Sequence, residues 1–268
     1  MQITIGRNIL NRDSRYPAVG SLQIQFNLFP KCNVFSSLSS SNWLLQDSNK
    51  PHLTSSNVKF ANTIAQLKPE KLDAIKEMGF GRLIKMRNTY LRRIMLCDIG
   101  RRFHLSSQSF QICGQFIQIL PEDVQDIMGL QIEGLDVAKH LASKRSKKMD
   151  KLLDDLFVRL ADLNRNKLTT SKLQSIILDS INADDDFKRA FVLFIIGVIL
   201  APTTKDYVHS SYLLVVIEIS EILKFNWGEF TLKYLINSCH QYKLLESGTI
   251  LGILTLLQVN SICYSQHL

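Results

Sequence analysis

Hydrophobic residues recur at helical spacing in two stretches that follow residue 60. Pro69 suits the first position of a helix, and Gly79 suits its left-handed end. A second helix is predicted over 88–102, where apolar residues again share one face. We therefore expect the ordered part of the chain to begin near Phe60.

An alternating pattern, typical of a β-hairpin, follows these helices. Apolar and polar residues alternate over 110–112 and 116–119 on either side of Cys113-Gly114. A short helix is then predicted from Pro121 to a stop at Gly129. Residues 59–130 are therefore expected to form a small α+β unit of helices and a hairpin, with the topology of a winged helix.

The rest of the chain divides by its patterning into four further segments. Residues 1–58 are rich in Ser and Asn and predict a disordered arm, whereas 131–150 lose all periodicity and predict a basic linker. Residues 151–259 predict a compact multi-helix domain, and 260–268 an irregular tail. The predicted helices of that domain cover 149–163, 169–181, 184–202, 210–225, 227–242 and 248–259. The fold class is thus mainly α.

Charge is distributed unevenly along the chain. The 268 residues carry a net charge of +8, and 46% of them are hydrophobic, which excludes wholesale disorder. Seventeen basic and ten acidic residues fall within 59–151, whereas 152–268 hold ten basic and twelve acidic residues. This asymmetry excludes a uniformly basic chain such as a histone and directs attention to the first 151 residues.

Two groups of basic residues are candidate binding sites. A run in the predicted linker suits nuclear import or contact with a polyanion, although a solvated linker would explain it equally well. Its members are Lys139, Lys144, Arg145, Lys147, Lys148 and Lys151. The second group could contact a nucleic-acid backbone or could form the solvent-exposed face of an amphipathic helix. Its members are Arg92, Arg93, Arg101 and Arg102.

We find no pattern that predicts catalysis or cofactor binding. The five cysteines form no CxxC pair, and Cys239 and His240 are adjacent on a helix, which is a poor arrangement for a nucleophile and its base. Asp184–Asp186 is better explained as a helix cap than as a metal site. We therefore predict no catalytic residue, no cofactor, no metal and no small-molecule substrate.

The apolar runs, the N-terminus and the cysteines indicate the cellular compartment. The longest apolar run, Ala190–Ala201, is shorter than the ~20 residues that a membrane helix needs. The N-terminus also lacks the apolar segment of a secretory signal, and the cysteine pattern indicates a reducing interior. We expect a protein of the nucleus, with the cytoplasm as the alternative, and no membrane association.

Four phrases of the sequence, in the same order, resemble the plant mobile domain, which some classifications label aminotransferase-like. Residues 75–83 resemble its "GFGxLL" opening, and 118–130 resemble its "ITxEDVxxILGLP" element. Residues 196–204 resemble its "IGxxLCPTS" helix end. Residues 226–230, together with 251–258, resemble its "NWAxFVxxxL…LGGCLLFLQ" tail.

The resemblance implies a nuclear, transposable-element-derived, non-catalytic helical domain that binds protein or nucleic acid. Such domains often precede a ubiquitin-like-specific (SUMO protease type) cysteine protease domain. No lysine here occupies a recognisable pyridoxal-phosphate context, so the aminotransferase label gains no support. Because the pattern stops after Gln258, we expect a truncated family member. The alternative function is the N-terminal accessory fragment of such a cysteine peptidase, without its catalytic domain.

Overall fold

The computed structural model of the protein describes residues 52–54, 57–86, 91, 93–112, 114–245 and 249–258, with the backbone alone for 52–54 and 93. The α-helices are α1 (Asn57–Ile64), α2 (Pro69–Ile75), α3 (Arg93–Arg101), α4 (Pro121–Met128), α5 (Val137–Leu141), α6 (Lys147–Leu160), α7 (Thr170–Asp179), α8 (Asp185–Ile195) and α9 (Trp227–Leu245). The mainly α class is confirmed.

Short strands and tighter helical turns complete the described chain. The strands are β1 (His52–Thr54), β2 (Phe103–His104), β3 (Ser109–Ile112), β4 (Gln115–Ile117), β5 (Leu168–Thr169), β6 (Tyr207–Val208) and β7 (Thr249–Leu251). The π-helical turns are Lys76–Phe80 and Ile196–Leu200, and the 3₁₀ segments are Leu83–Lys85, Ser210–Val215 and Ile219–Lys224.

Local signals in the sequence set most helix starts and stops. Pro69 and Pro121 occupy the first turns of α2 and α4, and Gly79 and Gly129 have φ values of 87° and 67° near the ends. Thr169 caps α7 by accepting a hydrogen bond from the N–H of Lys172. These predicted boundaries are confirmed.

The predicted hairpin is confirmed as part of a larger sheet. Strands β2, β3 and β4 form a three-stranded antiparallel sheet, in which Phe110 pairs with both Phe103 and Ile117. These three side chains share the buried face of the sheet. The first strand, β2, was not expected because two residues are too short to show an alternating pattern.

The described residues belong to one compact unit rather than to a small unit and a separate helical domain. A single hydrophobic core runs from Phe60 to Leu257. Phe80, from the predicted α+β unit, lies 6.3 Å from the ring of Phe191 in α8 and 5.7 Å from that of Trp227 in α9. The structure therefore differs from the expected division into a unit over 59–130 and a domain over 151–259, because the apolar faces of these two parts pack against each other.

The segment expected to be a linker is held by main-chain hydrogen bonds. The N–H of Leu135 donates to the carbonyl of Lys224 at 2.7 Å, and the N–H of Gly228 donates to that of Gln131 at 2.8 Å. Helix α5 and the start of α6 also lie within 131–150. The linker prediction was wrong for this segment because main-chain pairing leaves no side-chain periodicity to detect.

Three further expectations are corrected at the ends of the described chain and in its later part. The predicted arm over 1–58 includes β1 and the start of α1, although most of it lies outside the described residues, as does the predicted tail 260–268. The predicted helix 248–259 contains β7, and a helical turn follows only at 254–258, because Gly252 adopts a φ of 107°. The predicted helix 210–225 consists of two 3₁₀ segments separated by Val216–Glu218, since β-branched residues disfavour a continuous helix.

Candidate functional site

The predicted basic run forms an exposed surface built on two helix starts. Asp136 caps α5 by accepting from the N–H of Lys139 at 2.9 Å, and Ser146 caps α6 by accepting from the N–H of Met149 at 3.2 Å. The two caps fix the backbone on either side of the connection between these helices. We call the exposed basic side chains of α5, of this connection and of the start of α6 the basic surface, which consists of Lys139, Lys144, Arg145, Lys147, Lys148 and Lys151.

The basic surface has an excess of positive charge, since Asp150 in the first turn of α6 is the one acidic residue within 139–151. Lys147 and Lys148 lie in the first turn of α6, where the positive end of the helix dipole disfavours cations. Among the described residues, none of the six basic side chains forms an ion pair with a carboxylate. A partner that brings phosphate or carboxylate groups would therefore relieve repulsion that the folded chain leaves in place.

The second predicted basic group lies on a separate element. Arg92 lies outside the described residues, and only the backbone of Arg93 is described, at the start of α3. Arg101 is exposed at the end of that helix, and Arg102 pairs with Asp98 at 3.0 Å. The structure therefore links Arg101 and Arg102 to the start of β2 and to the three-stranded sheet, not to the connection between α5 and α6.

A cleft of about 180 Å³ lies between the start of α5 and helix α9. The Lys233 ammonium lies 2.8 Å from a Glu229 carboxylate oxygen and 3.4 Å from one of Asp136. The hydrogen bond from Lys233 to Glu229 is the main reason that the pKa of Lys233 is raised. The pKa of Asp136 is lowered, chiefly because the N–H of Lys139 donates to its carboxylate. Neither group is therefore poised to exchange a proton near neutral pH.

Tyr234, which also lines the cleft, is likewise unsuited to acid–base chemistry near neutral pH. The Tyr234 hydroxyl donates to the carbonyl of Pro202 at 2.8 Å, and burial raises the pKa of this hydroxyl to about 12. Sequence reasoning missed this cleft because Asp136 and Lys233 are far apart in the chain. The arrangement holds α5 against α9, which steadies the helix that carries Lys139.

The residues considered above for catalysis or metal binding are either buried in the core or cap a helix. Cys239 is fully buried, and this burial raises the pKa of its thiol to about 12, so it does not form a nucleophilic thiolate at neutral pH. Asp184 caps α8 by accepting from the N–H of Phe187 at 2.8 Å. In the part of the chain that the structure describes, no group of three or more His, Cys, Asp or Glu side chains could hold a metal ion.

Two of the four family-like phrases meet at the end of α4. The Arg82 guanidinium, from the first phrase, donates to the carbonyl of Asp126 at 2.6 Å and to that of Gln125 at 3.3 Å. Gly129 makes room for this arginine, since a Cβ atom there would lie 2.3 Å from Cδ of Arg82. The first phrase thus closes the helix that the second phrase forms.

The fourth phrase fixes the start of α9. Asn226 accepts from the N–H of Glu229 at 2.9 Å and donates to the carbonyl of Ile132 at 2.5 Å. Trp227 then packs against Phe80 of the first phrase, and its indole N–H donates to the carbonyl of Ile222 at 2.8 Å. The family-like residues described above therefore hold parts of the fold together, and Asn226 and Glu229 of the fourth phrase also line the cleft.

Comparison with known proteins gives the family. Residues 54–258 match the family described as "Domain of unknown function (DUF8566)". The chain belongs to this family. The match extends from the last residue of β1 to Gln258 at the end of the final helical turn, so it covers nearly all of the described chain.

A curated relative supports the resemblance to the plant mobile domain. The chain is 23% identical over 211 residues to "Protein MAIN-LIKE 2" of Arabidopsis thaliana, an alignment that includes 75% of this chain. The chain spans 30% of the length of that relative. No solved structure matches the chain. Among the described helices of this DUF8566 member, none is long and apolar enough to cross a bilayer.

Proposed function

We propose that this protein is a non-catalytic interaction domain that binds nucleic acid through the basic surface. The observation that carries the proposal is the set of six exposed cations on α5, on the connection that follows it and on the start of α6, none of which forms an ion pair with a described carboxylate. Closely spaced Lys and Arg side chains on one surface suit the regularly spaced phosphates of a nucleic-acid backbone. The proposed activity is therefore recognition of backbone charge and not of base sequence.

The interior of the fold supports a role without catalysis. In the cleft the pKa of Lys233 is raised and that of Asp136 is lowered, away from neutrality in both cases, and the Cys239 thiol is buried. The similarity to Protein MAIN-LIKE 2 is consistent with a plant mobile domain of transposable-element origin. A domain of this kind would contribute binding to a larger assembly or polypeptide.

Binding to duplex DNA at increasing salt concentration tests the proposal. We expect the wild-type protein to bind a mixed-sequence duplex at low salt, with an affinity that falls steeply as salt rises because counterions are released. A variant in which Lys144, Arg145, Lys147 and Lys148 are changed to Gln should bind about tenfold more weakly or worse, with a shallower dependence on salt. Fluorescence anisotropy of a labelled duplex measures both quantities.

A second variant controls for the loss of net charge alone. It removes four exposed lysines from other elements, namely Lys68, Lys167, Lys172 and Lys205, each changed to Gln. The proposal requires this control variant to keep most of the affinity and the salt dependence of the wild type. Equal losses in both variants, or no binding by the wild type at low salt, would show that the basic surface is not a nucleic-acid site.

The same surface is also the proposed nuclear import signal. A fusion to two fluorescent proteins in tandem is too large to diffuse through nuclear pores, so its distribution reports active import. We expect the wild-type fusion to accumulate in nuclei of plant cells, and the variant with Gln at 144, 145, 147 and 148 to stay in the cytoplasm. An unchanged distribution of this variant would contradict the import role.

The alternative, an accessory fragment of a SUMO-protease-like cysteine peptidase, stays a prediction. Its test is the coding sequence downstream of Gln258, where a reading frame with the protease His, Asp and Cys would support it.

A further inference from the structure

The solvent face of the three-stranded sheet carries an exposed aromatic ring. Phe116 on β4 is 61% exposed, although the sheet buries Phe103, Phe110 and Ile117 on its other face. The ring of His104 on β2 lies 5.4 Å from that of Phe116, edge to face. Together the two rings form an open aromatic surface, and Ser109 of the intervening strand is almost completely buried.

The neighbouring side chains hold this surface in place. The His104 ring nitrogen Nδ1 lies 2.7 Å from the Ser107 hydroxyl, and the Gln118 amide donates to the carbonyl of Ser107 at 2.6 Å. The β2–β3 turn is therefore tied both to the histidine and to the residue that follows β4. The Phe116 ring thus lies against a histidine that is itself hydrogen-bonded, and a ring with fewer positions available loses less conformational freedom when a ligand stacks on it.

The charges around the sheet are positive. The backbone N–H of Gln111 donates to the carbonyl of Arg102, and Gln111 is the cross-strand partner of Phe116. Arg101 is exposed at the preceding position, Arg102 pairs with Asp98 at 3.0 Å, and the chain has no acidic residue between Asp98 and Glu122. The solvent face of the sheet thus combines an aromatic ring with arginines and glutamines, and it contributes no carboxylate of its own.

We propose that this sheet face binds single-stranded nucleic acid, with an unpaired base stacked on Phe116 and the adjoining phosphates near Arg101 and Arg102. Exposed aromatic rings on antiparallel sheets suit this role because every base has a flat π face, while arginines attract the backbone. Isolated polar residues around the ring fit base edges better than the continuous apolar face of a protein partner. The proposal rests on the nucleic-acid binding proposed above and adds a second, strand-selective surface.

Phe116→Ala tests the stacking contact with oligo(dT) as the single-stranded probe and a duplex of equal length as the comparison. We expect affinity for oligo(dT) to fall roughly fivefold to 150-fold, because stacking contributes about 1–3 kcal/mol per base. Duplex affinity should stay unchanged, since the bases of a duplex already stack on one another. Leu163→Ala is the matched control, because Leu163 is 62% exposed on a different part of the surface.

Phe116→Trp supplies a direct readout of stacking. In a Trp43→Phe background, where Trp227 is the remaining native indole and is buried, we expect this variant to keep its affinity for oligo(dT) and to lose fluorescence when the strand binds, whereas the same background with Phe116 should not. Unchanged oligo(dT) affinity in Phe116→Ala would overturn the sheet proposal, as would equal losses on both probes. Duplex binding by the wild type that depends on the basic surface would, in either case, leave the proposed function standing.

Discussion

Trp227→Ala is expected to lower the free energy of unfolding by about 3–5 kcal/mol, the range for removing a large aromatic side chain from a core. Trp227 is 2% exposed, and its ring lies 5.7 Å from Phe80, 5.6 Å from Phe225 and 6.0 Å from Phe230, measured between centroids. The change would also leave the Ile222 carbonyl without its indole donor. Urea denaturation followed by far-ultraviolet circular dichroism measures the loss.

Trp227→Phe separates packing from hydrogen bonding. This variant keeps an aromatic ring against Phe80 but loses the N–H donor, so we expect a smaller loss, about 1–3 kcal/mol. If Trp227→Ala were no more destabilising than Trp227→Phe, the ring would not be the centre of the core.

Trp227 can also report whether the chain unfolds as one unit. In a Trp43→Phe variant its fluorescence comes from the junction of the two parts that the sequence divides, while circular dichroism reports all helices. We expect the two transitions to coincide, because Phe80, Phe191 and Trp227 share one core. Separate transitions would restore the two-unit interpretation.

Features with a local cause could be predicted from the sequence. The turn at Gly129, the caps at Thr169 and Asp184, and the hairpin around Gly114 each depend on a few neighbouring residues, and the structure has all of them. The apolar stripe of α6 was predicted less well. The helix predicted over 149–163 ends at Leu160, and Leu163 beyond it is 62% exposed.

Features that depend on distant backbone pairing could not be predicted. Strand β1 pairs in parallel with β7, from the opposite end of the described chain, and each strand has only three residues. Segments of that length show no detectable alternation, so β7 was interpreted as part of a helix. The ordered backbone at 131–135 was not predicted for a related reason, since its hydrogen-bond partners are backbone groups of Lys224, Asn226 and Gly228.

The candidate sites show the same division. Charge alone marked the basic surface, because clustered lysines are visible in any fold. Phe116 was interpreted as an ordinary hairpin residue. The alternation over 116–119 was the available signal in the sequence. Because Ile117 and Ile119 are buried, Phe116 and Gln118 lie on the opposite, solvent face.

Gly134→Ala is expected to destabilise the protein by about 3 kcal/mol or more, because two effects combine at this position. Gly134 has a φ of 112°, which side chains rarely adopt, and a Cβ atom there would lie 2.1 Å from the carbonyl oxygen of Lys224. Relieving the clash would break the hydrogen bond from Leu135 to that carbonyl and shift the cap of α5.

Gly114→Ala is the matched control, since Gly114 has a φ of 82° but no atom within 4 Å of its added Cβ. It should lose only the conformational contribution, about 1 kcal/mol. Thermal unfolding of both variants measures the difference, and equal losses would mean that the 131–135 connection yields without disturbing the core.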